Sequence, residues 1–264
     1  MSFMRLTDPN LSEEFAQKQL TSRPVSPGVS LFAGARSYGW RRGPRQIATA
    51  AFCTFSLIFW TMTHPAAAQT PIQAAPIQIV ALGDSLTAGY GLPDKDGFVR
   101  RLQAALAAKG VAATVANAGV SGDTSSDGLA RLDWSVPEGT QAVILELGAN
   151  DMLRGIKPEV TRGALDKILQ RLMARHIAVM LCGMRAAPNL GADYGQAFER
   201  IYPELAAKYG TLLYPFFLDG TAGDLKLTQQ DGMHPNATGV GVIVERILPK
   251  ILQLIDQVHT QHPS

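Results

Sequence analysis

From residue 77 onward the chain alternates between two patterns. Short apolar runs cover 77–82, 111–118, 141–147 and 177–182, and each stops at a glycine: Gly83, Gly119, Gly148 and Gly183. Runs this short, rich in β-branched residues and ended by glycine, predict strands buried on both faces. The segment 211–214 predicts a brief fifth strand. Between them lie stretches with apolar residues three or four apart. Phe98, Leu102 and Leu106 form one stripe within 97–109, with Gly110 as a stop; Val160, Ala164, Ile168 and Leu172 form another within 158–176. Helices are also predicted over 195–209 and 237–258, the last kinked at Pro249 because a proline removes one backbone donor.

Strands and helices alternating at this spacing imply right-handed crossovers and a mainly parallel sheet covered on both faces. The expected architecture is a three-layer α/β/α, flavodoxin-like domain over 77–260, with a mainly parallel five-stranded sheet. In open sheets of this kind, ligands bind outside the carboxyl ends of the strands. The loops after the predicted strands therefore share one functional edge.

The N-terminal part reads differently. Arg41, Arg42 and Arg45 precede an apolar run over 47–62, and Ala66-Ala67-Ala68 supplies a small-residue cleavage site. That run is shorter than the ~20 residues a bilayer span requires. Residues 1–68 are read as a leader and export signal cut after Ala68, and 69–76 as a flexible lead-in. The mature chain is then periplasmic or secreted, without a stable membrane span. The formal net charge of +2 changes with this division: 1–68 hold seven Lys and Arg against three Asp and Glu, so the remainder carries a net −2. A near-neutral domain offers no electrostatic footprint for nucleic acid. Cys53 leaves with the leader, and Cys182, in an apolar run, is expected as a buried core thiol.

Four loops carry the candidate chemistry. Gly83-Asp84-Ser85-Leu86 follows the first strand, and Ser121-Gly122-Asp123-Thr124 the second. Gly148-Ala149-Asn150-Asp151 follows the third, and Asp231-Gly232-Met233-His234-Pro235 precedes the last helix. A serine hydroxyl becomes a nucleophile when a base takes its proton and a third group fixes the base's tautomer. Asp231 and His234, three apart in a turn bounded by glycine and proline, can supply that pair for Ser85. The Ser85 and Gly122 N–H groups and the Asn150 amide can supply an oxyanion hole. Each piece alone has a plainer reading: a turn serine, a helix cap at Asp84, a strand-ending turn at 148–151. Their coincidence at one edge favours chemistry.

The segments GDSLTAGYG, SGDTS, GAND and DGMHPN resemble the four blocks of the SGNH hydrolases, also called the GDSL family. The wording SGDTSSDGLARL, LELGANDMLRGIKP and YPFF is similar to the bacterial periplasmic branch of thioesterase I, lysophospholipase and arylesterase. The resemblance implies Ser85 as nucleophile, Gly122 and Asn150 completing the oxyanion hole, Asp231 orienting His234, and no metal or other cofactor. The branch often reads GGND where this chain has Ala149, which leaves the Asn150 donor intact.

The expected activity is that of a monomeric serine esterase or thioesterase acting on acyl or aryl esters of small molecules. Met152, Leu153, Ile156, Pro188 and Leu190 are expected at the pocket mouth, where an apolar lining favours acyl or aryl groups over sugars. A carbohydrate acetylesterase on the same fold is the rival enzyme, and a flavodoxin-like binding module the rival from another class. A metallophosphoesterase is disfavoured, because few His and Asp lie near the motifs.

Overall fold

The computed structural model describes residues 75–261; the expected leader and most of the lead-in lie outside them. Five parallel strands form one sheet in the order β2-β1-β3-β4-β5. They are β1 (Ile77–Gly83), β2 (Ala113–Gly119), β3 (Ala142–Glu146), β4 (Ala178–Cys182) and β5 (Leu212–Tyr214). This is the flavodoxin-like order, whose topological switch point lies between β1 and β3. Every residue of β3 and β4 is buried, as is all of β1 except Gln78. Each large aliphatic side chain so buried stabilises the fold by about 1.5–3 kcal/mol. The edge strand β2 is half exposed, and its apolar content is correspondingly low.

Nine α-helices accompany the sheet among the described residues: α1 (Ser85–Ala88), α2 (Phe98–Ala108), α3 (Ser125–Ala130), α4 (Leu132–Ser135), α5 (Ala149–Leu153), α6 (Pro158–Ala174), α7 (Ala192–Glu199), α8 (Ile201–Tyr209) and α9 (Ala237–Gln261). Helix α2 packs on α9, and α6 packs on α3 and α8, giving the two outer layers. Phe98, Leu102 and Leu106 are buried as their spacing predicts. On α6 the buried stripe is rotated from the expected one: Val160 is 49% exposed, and Thr161 turns inward with Ala164, Leu165, Ile168, Leu169 and Leu172.

One helix differs from expectation. The single helix predicted over 195–209 is two, joined at Arg200. Pro203 has no N–H to offer the carbonyl of Glu199, so the helical ladder is interrupted there. Helix α9, by contrast, continues through Pro249. Pro249 and Glu245, four residues before it, are both exposed, so the carbonyl left without its donor can be met by water. Cys182 is free and fully buried.

Register positions the functional edge. Gly83 lies beside Gly119 on one side and Glu146 on the other; Glu146 pairs with Cys182, and Cys182 with Tyr214. All five strands thus finish level, and the loops that follow them leave from one line.

Candidate active site

The first loop is held from below. A Cβ on Gly83 would lie 2.0 Å from Thr87 Oγ1 and 2.6 Å from Glu146 Oε2, so the chain can turn into α1 here only with a glycine. Asp84 caps α1, accepting the Leu86 N–H at 3.0 Å. Ser85 is the first helical residue, where an N–H has no acceptor within its own helix. Buried Arg131 fixes the loop's origin: it donates to the carbonyls of Gly83 and Ala118, both at 2.8 Å, and pairs with Asp123 at 2.5 Å. Asp123, in the loop after β2, serves this arginine. The cap of α3 is Thr124, in a reciprocal capping box with Asp127.

The last loop meets the first. His234 Nε2 lies 2.9 Å from Ser85 Oγ, and His234 Nδ1 lies 2.6 Å from Asp231 Oδ2. The other Asp231 oxygen accepts the N–H groups of Met233 and His234 at 2.9 and 3.0 Å. These backbone bonds and the imidazole pull the Asp231 carboxyl down to about 2, so it is ionised at neutral pH. Tyr90 packs against the imidazole in a tilted arrangement, 4.7 Å between ring centroids. Gln229 ties the two loops together, donating to the carbonyls of Tyr90 and Pro235 at 2.7 and 3.0 Å. Asn236 donates to Lys226 and Thr228 and accepts from Gly239 at the start of α9.

Asn150 projects from the start of α5, and its amide donates to Asp84 Oδ2 at 3.1 Å, which fixes its orientation. Asp151 braces the helix by accepting from the N–H and hydroxyl of Ser125 and from Thr161. The preceding Gly148 adopts φ 120°, and a Cβ there would strike the Tyr202 hydroxyl at 2.2 Å. Glycine is required at 148, whereas Ala149 sits in ordinary helical backbone. Gly122 has φ 90°, and its carbonyl accepts from Arg154 at 2.6 Å. Among the described residues, neither the Ser85 nor the Gly122 N–H donates to a protein acceptor.

Beneath this constellation lie two buried acids. Glu146 Oε2 accepts from Thr87 at 2.7 Å and faces the Asp84 N–H at 3.4 Å. Burial and the Asp84 charge push the Glu146 carboxyl well up, and burial raises Asp84 to about 6. Asp84 receives two donors suited to a carboxylate, whereas Glu146 Oε1 has no partner among the described residues, so of the two acids Glu146 is the one that holds a proton.

A cavity of about 430 Å³ joins Ser85, Asn150 and His234. Met152 and Leu153 line it, as do Met184, Arg185, Phe216 and Met233, which the sequence did not single out. Three residues expected at the mouth do not border it. The Ile156 backbone folds back onto Asp151 and Tyr194, and Pro188 and Leu190 form a 3₁₀ turn ahead of α7. Gly122 also lies outside the lining, in the neighbouring loop. Among the described residues no three His, Cys, Asp or Glu side chains are grouped as metal ligands.

A hydroxyl, an imidazole and a carboxylate in series, at the carboxyl edge of a parallel sheet, is the arrangement of a serine hydrolase. The sequence profile of the GDSL-like Lipase/Acylhydrolase family matches residues 81–242. Esterase TesA of Pseudomonas aeruginosa is 40% identical over 184 residues, covering 69% of this chain and 92% of that protein. Thioesterase 1/protease 1/lysophospholipase L1 of Escherichia coli K12 is 35% identical over 184 residues, covering 69% and 87%. Among solved structures, AlinE4, described as an SGNH-hydrolase family esterase, is 44% identical with a TM-score of 0.58, covering 67% of this chain and 96% of its own. The chain belongs to the GDSL-like lipase/acylhydrolase family, and is a hydrolase of ester or thioester bonds. No helix among the described residues is long and apolar enough to cross a membrane.

Proposed function

We propose that the chain hydrolyses acyl or aryl esters and thioesters of small molecules through an acyl-enzyme on Ser85. The observation that carries the reading is the relay from Asp231 through His234 to Ser85, at 2.6 and 2.9 Å, opening into an apolar cavity. The Ser85 proton passes to His234 Nε2 as Oγ bonds to the substrate carbonyl carbon, and the carbonyl electron pair moves onto oxygen. The Ser85 and Gly122 N–H groups and the Asn150 amide receive that oxyanion. When the intermediate collapses, the leaving group departs with the proton from His234. Water then repeats the sequence and frees Ser85. Asp231 stays ionised and holds the imidazolium.

The methionine-rich lining favours acyl chains or aromatic rings over acetylated sugars, which would need polar partners. Export with removal of 1–68 belongs to the same proposal and is supported by the leader pattern of the sequence; action as a monomer is proposed with it.

A panel of p-nitrophenyl esters of increasing chain length, with acyl-thioesters alongside, tests the reading. Ser85→Ala should lower kcat on the order of 10⁶-fold and abolish labelling by a fluorophosphonate probe. Full activity in Ser85→Ala would overturn the assignment, and turnover restricted to acetate would favour the acetylesterase.

A further inference from the structure

We infer that Arg185 makes the cavity selective for esters that carry an anionic group, an inference that rests on the esterase reading above. Arg185 follows β4 and borders the same cavity as Ser85 and His234. No acidic side chain lines that cavity, and Arg185 is its one permanent charge. Other arginines at this edge are committed: Arg131 to Asp123 and two carbonyls, Arg154 to the Gly122 carbonyl, Arg101 to Asp96. Arg185 takes part in none of the ion pairs or hydrogen bonds of the described residues. Its guanidinium instead lies over Phe216, 4.7 Å from the ring centroid.

That stacking has a chemical consequence. A guanidinium laid on an aromatic face loses little hydration and keeps its in-plane N–H donors available. Phe216 borders the cavity too, so the pair leaves guanidinium N–H donors uncommitted at the cavity wall beside the acyl site. A carboxylate, sulfonate or phosphate matches those donors, whereas a neutral ester leaves them facing water. The charge can sit on the leaving group or at the far end of the acyl chain; both offer the same anion. Arg185 is exposed, so its contribution is that of a screened pair, about twofold to fivefold in specificity.

Two matched pairs of substrates test this on the mature chain. Methyl 4-octanoyloxybenzoate against 4-octanoyloxybenzenesulfonate varies charge on the leaving group. p-Nitrophenyl octanoate against mono-p-nitrophenyl suberate varies it on the acyl end. The quantity read is the anionic-to-neutral ratio of kcat/KM, in wild type, Arg185→Gln and Arg185→Lys. In at least one pair, Arg185→Gln should lower the ratio about twofold to fivefold, mainly through KM, with Arg185→Lys intermediate. Raising the salt should shrink the wild-type ratio and leave that of Arg185→Gln unmoved. The pair that responds identifies which side of the ester carries the charge. Equal losses on charged and neutral members of both pairs, or no loss, would overturn the role of Arg185 while leaving the esterase reading standing. Failure of wild type to hydrolyse any of the four would overturn that reading itself.

Discussion

Asp231→Asn isolates what the carboxylate does, because the structure separates its two oxygens. Oδ1 accepts two backbone N–H groups in the turn, and an asparagine carbonyl can keep both. Oδ2 faces His234 Nδ1 at 2.6 Å, and there the substitution places an NH₂ donor. The imidazole must then accept at Nδ1 and carry its proton on Nε2, the nitrogen that should take the Ser85 proton. Tyr90 still packs on the ring, so the fault is one of tautomer and charge rather than of position. A buried triad altered in this way loses about 10⁴ in kcat. Here the side chains of His234 and Asp231 are 19% and 33% exposed, so water can partly stabilise the imidazolium. The expected loss is therefore about 10³–10⁴ in kcat, with KM little changed and the unfolding midpoint held. Asp231→Ala should match that loss and also lower the midpoint, since the turn forfeits two acceptors. Steady-state hydrolysis of p-nitrophenyl butyrate with parallel thermal melts checks both. A kcat for Asp231→Asn within tenfold of wild type would refute the assignment of Asp231 as the group that orients His234.

Two further outcomes concern stability. A carboxyl whose folded pKa is raised binds its proton more tightly when folded, so it costs stability as pH rises from the unfolded value through the folded one. For the Asp84–Glu146 pair that window opens near 4 and runs through about 6 for Asp84 and beyond for Glu146. Glu146→Gln keeps an oxygen for Thr87 and removes the second acid. Set against wild type in urea melts, it should gain stability progressively as pH rises from about 4 to 8; parallel curves would contradict a proton held on Glu146. His176, with φ 56°, ends α6 in the left-handed region, donating to Met173 while Ile177 donates to Leu172. This is a Schellman cap built on a residue that pays for its Cβ. His176→Gly should stabilise by about 0.5–1 kcal/mol, read as a higher unfolding midpoint; a lower one would contradict the strain.

The strand edge and the relay were legible because the sequence marks both with glycine. Strands that stop at Gly83, Gly119, Gly148 and Gly183 announce a level rim, and Ser85, Asn150 and His234 are polar residues at helix starts or in a turn on that rim. The supporting residues were hidden by the signals used to find strands and helices. Glu146 stands inside an apolar run and reads as part of the strand; its sign was an acid where neither face is wet. Arg131 stands between Leu129 and Leu132 and reads as the solvated side of a short helix, though it turns inward to two carbonyls. The cavity lining was half legible: Met152 and Leu153 follow the Asn150 loop directly. Arg185 and Phe216 are brought in by the parallel register of β4 and β5, which no local pattern reveals.

The two halves of the site draw their order from different sources. Asn150 owes its orientation to Asp84, Asp84 lies against Glu146, and Glu146 is held by Thr87, a chain sealed inside the carboxyl edge of the sheet. On the proposed mechanism, a dipole oriented in this way needs no rearrangement when charge develops on the substrate oxygen, which is how an oxyanion hole lowers a barrier. The proposed acid–base half is carried on a surface turn, where Asp231 and His234 hold one another and Gln229 and Asn236 pin the backbone. Proton transfer needs that partial access, since the leaving group must depart and water must enter along the face of His234 that borders the cavity. Rigidity is therefore concentrated where charge must be met, and openness where groups must be exchanged.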